Sequence, residues 1–105
     1  MKIRIIKTTF SSKEEAEKIT QILLEKRLVA CVQSSKIKSS YLWQNKLCHD
    51  KEILLSIKTT KRLCKEVKRL IIKLHSYETP QILTLKPKKA NKAYKIWLES
   101  VLNKE

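Results

Sequence analysis

No glycine occurs among the 105 residues of this chain. Glycine is the residue that enters the left-handed backbone region without steric cost. Every tight turn here must therefore be made by Asn, Asp, Ser or Pro. The same absence excludes phosphate-cradling loops and dinucleotide fingerprints, which need glycine for close backbone approach to phosphate. The length predicts one domain spanning residues 1–105. An apolar fraction of 42% marks a folded chain with a core.

The hydrophobic pattern gives the order of elements. Ile3 and Ile5 alternate with Lys2 and Arg4, so Lys2 to Phe10 reads as a strand. Ser12 and Glu15 have capping-box spacing and start a helix whose apolar face is Ala16, Ile19, Ile22 and Leu23. Leu28 to Val32 reads as a buried strand. Polar residues 34–40 read as a bulge or bend before Tyr41-Leu42-Trp43 resumes the strand. Gln44-Asn45-Lys46 is a hairpin turn, with Asn45 as its left-handed residue. After polar Cys48 to Lys51, Glu52 to Thr60 forms the next strand, with Ile53, Leu55 and Ile57 on one face and Leu54, Ser56 and Lys58 on the other. A second helix from Lys61 to Leu74 carries the stripe Leu63, Cys64, Val67, Leu70, Ile71 and Leu74. Gln81 to Leu85 is a fourth strand. Ala90 to Leu102 is a last helix with Ala93, Tyr94, Trp97 and Val101 on one face. The order predicts an α+β fold, a ferredoxin-like βαββαβ sandwich with a C-terminal helix. The first two helices cover one sheet face. The other is left for the last helix or for a second copy.

Between the second helix and the fourth strand lies His75-Ser76-Tyr77-Glu78-Thr79-Pro80. It packs a histidine, a phenol, a carboxylate and a rigid proline into six residues. His75 reads as a helix C-terminal charge or as a ligand, Glu78 as a partner for Lys58, and Tyr77 as a pocket residue. Trp43 and Trp97 read as packing or interface residues. The cysteines Cys31, Cys48 and Cys64 form neither a closed zinc pattern nor a disulfide framework. Cys31 reads as a small buried hydrophobe or, with His75, as a nucleophilic pair. Adjacent Cys48 and His49 suit a soft metal only if a loop lets both converge.

Taken together, five stretches resemble the CutA divalent-cation tolerance proteins. They are Leu28-Val29-Ala30-Cys31-Val32, Tyr41-Leu42-Trp43, Ile57-Lys58-Thr59-Thr60, the hexapeptide with Ile82, and Ala93-Tyr94-Lys95-Ile96-Trp97-Leu98. The resemblance implies a ferredoxin-like protomer with a long bent hairpin and a C-terminal helix. It implies a homotrimer and a non-enzymatic role in tolerance of copper or another divalent metal ion. It carries Cys31 and His75 over as metal residues, and Lys58, Tyr77, Glu78 and Trp43 as cleft residues between subunits. Ser76 stands where the family has proline. That frees a backbone donor and is expected to loosen the corner.

Lys and Arg number 24 against 10 Asp and Glu, a net charge of +14. That field suits anionic partners or simple solubility. The alternative function is therefore a signalling trimer that binds a small anionic ligand in its clefts, with Lys58 as the cation. RNA-recognition domains share the strand order, but the central strands here lack stacking aromatics, so no nucleic-acid partner is expected. No apolar run reaches the roughly 18 residues of a membrane span. With no secretory leader and unpaired cysteines, a reducing, cytoplasmic setting is expected.

Overall fold

A computed structural model describes residues 2–104. Its elements are β1 (Ile3–Phe10), α1 (Lys13–Glu25), β2 (Cys31–Trp43), β3 (Lys46–Thr60), α2 (Lys61–Leu74), β4 (Ile82–Leu85) and α3 (Lys92–Val101). The strands form one sheet in the order β2-β3-β1-β4. All three pairings are antiparallel, with β3 lying between β1 and β2. This is the ferredoxin-like α+β sandwich that the pattern predicts.

The period-2 alternation separates two faces. Ile6, Phe10, Leu55 and Ile57 point to the helix side and are buried. They meet Ala16, Ile19 and Leu23 of α1 and Leu63, Val67 and Ile71 of α2, so core and helix stripes coincide. The opposite face carries Ile5, Lys58, Gln33, Leu83 and Leu85. No helix covers its β4 edge, where Leu83 is 52% exposed.

Strand lengths are unequal. β1 pairs with β3 only from Ile53 to Thr60. Beyond Ile53, β3 pairs with β2 alone, from Ile37↔Glu52 to Trp43↔Lys46. This two-stranded arm draws the molecule out to 45 × 26 × 21 Å. Leu42 and Leu47 sit side by side near its tip, 77% and 66% exposed.

Three expectations need correction. Leu28 and Val29 are buried, yet β2 begins only at Cys31. They belong to the connection that crosses from α1. Of the bulge or bend expected at residues 34–40, it is the bulge that is absent, because the β2–β3 register runs one to one throughout. The buried side of α3 is Leu98 and Leu102, with Tyr94 packed partly against the core, and Trp97 is 44% exposed. The cause is where α3 docks. The Asn103 amide donates to the Arg27 carbonyl (2.8 Å) and Arg62 reaches Glu99 (3.0 Å). These bonds hold α3 beside the end of α1 and the start of α2, which buries a different stripe.

Among the described residues three stand in left-handed geometry, Arg27 (φ 55), Gln44 (φ 50) and Asn45 (φ 63), and only Asn45 is of the residue types expected to make turns here. Arg27 terminates α1. Leu28 N–H bonds the Leu23 carbonyl (3.1 Å) and Arg27 N–H bonds the Leu24 carbonyl (3.0 Å), the paired pattern of a Schellman cap. Leu28 and Leu23, both buried, supply its apolar contact. Gln44 and Asn45 together make a two-residue hairpin turn, one residue shorter than the sequence suggests, with both central residues at positive φ as a type I′ turn requires.

A left-handed residue with a Cβ costs about 1–2 kcal/mol, part of which glycine returns as chain entropy. Gln44→Gly is therefore expected to raise the unfolding free energy by roughly 0.5–1 kcal/mol in a urea titration. An unchanged midpoint would mean that the turn stores no strain at Gln44.

Candidate functional site

The arm leaves the sheet beside the loop that joins α2 to β4. Between them lies a cleft of about 760 Å³ whose lining includes Tyr41, Trp43, Asp50, Glu52, Tyr77 and Glu78. Register explains the arm's share. Ser39 faces Asp50, Ile37 faces Glu52, and Tyr41 faces Cys48, so Tyr41, Asp50 and Glu52 all project from one face. Two phenols close onto these carboxylates. The Tyr41 hydroxyl donates to Asp50, and the Tyr77 hydroxyl donates to Glu52 at 2.6 Å. The hydrogen bond to Asp50 pushes the Tyr41 phenol up to about 12. Burial, followed by the bond to Glu52, raises the Tyr77 phenol further. Three carboxylates, Asp50, Glu52 and Glu78, line the cleft against a single lysine, Lys51, whose place in the strand alternation turns its side chain to the other face of the arm, so the cleft is locally acidic.

His75 stands behind this cleft rather than in it. Its side chain is fully buried. The ring stacks on Phe10, with centroids 4.3 Å apart and planes 13° from parallel, and it touches Tyr77 at 4.8 Å. The Tyr77 amide donates to Nδ1 (3.1 Å), and Nε2 lies 2.8 Å from the Thr9 carbonyl. A nitrogen that accepts carries no proton, so the ring is the neutral Nε2–H tautomer and donates to Thr9. Both nitrogens are engaged, and His75 has no lone pair left for a metal.

Ser76 corrects a second expectation. Its freed N–H is used rather than loose: it donates to Glu15 Oε2 (2.8 Å), and its hydroxyl donates to Oε1 (2.9 Å). The Ser12 hydroxyl does accept from the Glu15 amide (3.2 Å), as a capping box requires. The Glu15 carboxylate, however, turns to the hexapeptide and ties α1 to it.

Of the sequence candidates, the cleft gathers Trp43, Tyr77 and Glu78. Cys31 and Lys58 lie elsewhere. Cys31 faces Lys58, which in turn faces Ile5, whereas His75 contacts Thr9. The two positions are roughly 13 Å apart along the strands and about 10 Å across them. Cys31 and His75 therefore form neither a shared metal site nor a nucleophilic pair within one protomer. Lys58 bonds Gln33 on the open face and does not reach Glu78, whose expected partner it was. Cys48 and His49 point to opposite sides of the arm, and His49 Nδ1 lies 2.9 Å from the Ser40 hydroxyl. Among the described residues no three of His, Cys, Asp and Glu are placed to share one ion.

Sequence reasoning missed Tyr41 as a cleft residue, and Asp50 and Glu52 altogether. The signal was available. A two-residue turn at Gln44-Asn45 fixes the register and places Asp50 and Glu52 on the Tyr41 face.

The CutA1 divalent ion tolerance protein family profile matches residues 4–101. The divalent-cation tolerance protein CutA of Thermotoga maritima is 43% identical over 99 residues, covering 93% of this chain and 98% of that protein. The chain belongs to the CutA1 family. CutA1 structures share the whole architecture. The crystal structure of CutA1 from Pyrococcus horikoshii superposes with a TM-score of 0.92 at 35% identity, over 96% of this chain and 99% of that one. CutA1 from Oryza sativa reaches 0.94 at 27% identity, over 100% of this chain and 97% of that one. The fold is thus retained even where most side chains differ.

The raised Tyr41 phenol carries a sign. A phenol held protonated by folding contributes stability that is complete below the unfolded value of about 10 and is lost as pH rises through the folded value. Tyr41→Phe is expected to delete one phenolate component near pH 12 from the absorbance titration of the folded protein. Loss of a component at about pH 10 instead would show that the Asp50 bond is not made.

Proposed function

We propose that this CutA1 chain acts in divalent-cation tolerance as a non-enzymatic homotrimer that takes up copper or another divalent metal ion at the acidic clefts where its arms begin. The observation that carries this reading is the cleft itself: three carboxylates, Asp50, Glu52 and Glu78, line it without meeting at one point, in a chain of net charge +14. A cluster that opposes the overall field suits a cation. An anionic ligand is disfavoured there, since Lys58 is tied to Gln33 outside the cleft.

The donor set offers oxygen from Asp50, Glu52 and Glu78, each with lone pairs beyond those used by the phenols. Hard oxygen ligands accept many divalent ions, and at a given site of this kind Cu²⁺ binds most tightly. Cys31 and His75 do not fit the ion in this arrangement. One protomer leaves the coordination incomplete, and neighbouring copies would supply the remainder.

The arm supports assembly. An isolated two-stranded ribbon is marginal in water. Here it also exposes Leu42, Leu47 and Trp43, while the open face exposes Leu83 and Leu85. Copies that lay arms across open faces bury both sets at once. The three free thiols favour a reducing compartment, the cytoplasm.

Light scattering is expected to return the mass of three chains, and Leu42→Asp with Leu47→Asp to shift it toward one. A monomeric parent protein would remove the assembly. Calorimetric titration of Cu²⁺ and Zn²⁺ is expected to show binding that Asp50→Asn with Glu52→Gln weakens at least about tenfold. Cys31→Ser is expected to leave it unchanged. Binding lost in Cys31→Ser but kept in the carboxamide variant would overturn the cleft assignment.

A further inference from the structure

We propose that His75 is a proton-controlled latch on the cleft. The neutral ring holds the hexapeptide in its cleft-forming shape, and protonation releases it. The inference deepens the reading above by naming how the same cleft is regulated, and it rests on that reading only for its physiological meaning.

The groups facing the ring make the case. From β1 come the Thr9 carbonyl, which accepts from Nε2–H, and the Phe10 ring stacked beneath; neither carries charge. From the hexapeptide comes the Tyr77 amide, which donates to Nδ1. From α1 comes Glu15, whose Oε2 lies 4.0 Å from Nδ1, just beyond hydrogen-bond reach. From β3 comes Glu52, which meets the ring only through the Tyr77 phenol.

A proton has one place to go. Nε2 already bears hydrogen, so protonation adds N–H at Nδ1, directly against the Tyr77 N–H. Two donors then face each other and the bond is lost. The new imidazolium has a carboxylate oxygen of Glu15 4.0 Å from the same nitrogen. Each Glu15 oxygen accepts one bond from Ser76 and keeps a second lone pair. The ring therefore exchanges Tyr77 for Glu15. Tyr77 loses the backbone anchor that aims its phenol at Glu52, and the wall of the cleft comes free. Histidine is the side chain suited to such a switch, because it changes charge in the physiological range.

The test is an NMR titration of the metal-free, full chain from about pH 8 to about pH 5, in a His49→Gln background so that one imidazole reports. At high pH the Nε2–H tautomer is expected. As the ring titrates, the Tyr77 amide should shift with the same midpoint, and its exchange protection should fall about tenfold, the scale of one lost hydrogen bond. His75→Asn places an unprotonatable acceptor at the Nδ1 position, so its Tyr77 amide should stay flat with pH. Glu15→Gln keeps an acceptor for Ser76 but removes the charge, so the midpoint should move to lower pH.

Three results would each overturn the latch. One is an Nδ1–H tautomer at neutral pH. Another is a ring that stays neutral to about pH 5. The third is a Tyr77 amide that ignores the ring or titrates equally in His75→Asn. If His75→Asn does not fold, the parent tautomer and the Glu15→Gln midpoint decide alone. No metal ion enters the measurement, so failure here leaves the cation reading standing, and failure of the calorimetric titration leaves the latch standing.

Discussion

Strand β3 is shared by two partners of unequal length. β1 occupies it from Ile53 to Thr60, while β2 follows it to Lys46. A sheet whose middle strand outruns one neighbour must project a ribbon, and the ribbon must leave a re-entrant corner where the shorter strand stops. Phe10 ends β1 at that corner, and the hexapeptide fills the space beyond it through His75 stacked on Phe10. The cleft is therefore a product of strand length before it is a product of chemistry. The buried hydrogen bonds of His75 then fix its wall, because a buried ring with an unpaired nitrogen would cost about 1–3 kcal/mol.

Element order and core were legible in the sequence because both follow from periodicity. Ile53, Leu55 and Ile57 announce their face by alternation, and Leu63, Cys64, Val67 and Ile71 announce theirs by helical spacing. The stripe of α3 was misread for a physical reason. A helix docked at the end of a sheet buries whichever residues its terminal anchors turn inward. Here those anchors are Arg27 with Asn103 and Arg62 with Glu99, bonds between residues far apart in sequence. Local spacing carries no trace of them.

The hexapeptide divides in the same way. Its place between α2 and β4 was legible, and Tyr77 and Glu78 do reach the cleft. The role of His75 was not legible. A histidine beside a tyrosine and a glutamate offers the same atoms whether it ligates a metal or braces a loop. What separates the two is whether both nitrogens find partners inside the fold. One partner, the Thr9 carbonyl, lies 66 residues away. Cys31 was tied to His75 by residue type as a nucleophilic pair and by resemblance as a metal pair, and strand register separates them.

Net charge says little about the candidate cleft, since it sums a whole surface while a cleft presents a few ångströms of it. At physiological ionic strength charges beyond about 8 Å are largely screened. The exposed cations of α2, among them Lys61, Lys65 and Arg69, lie off the buried stripe that packs on the sheet. What makes the cleft acidic is instead the register set by the Gln44–Asn45 turn. Side chains alternate with a period of two, so a slip of one residue would turn Asp50 and Glu52 away and present His49 and Lys51 in their place. A type I′ turn admits no such slip, because its two left-handed residues must sit at the tip. In a chain without glycine, Gln44 and Asn45 bear that conformation with side chains attached. The backbone strain at the tip and the sign of the charge at the base of the arm are thus two ends of one constraint.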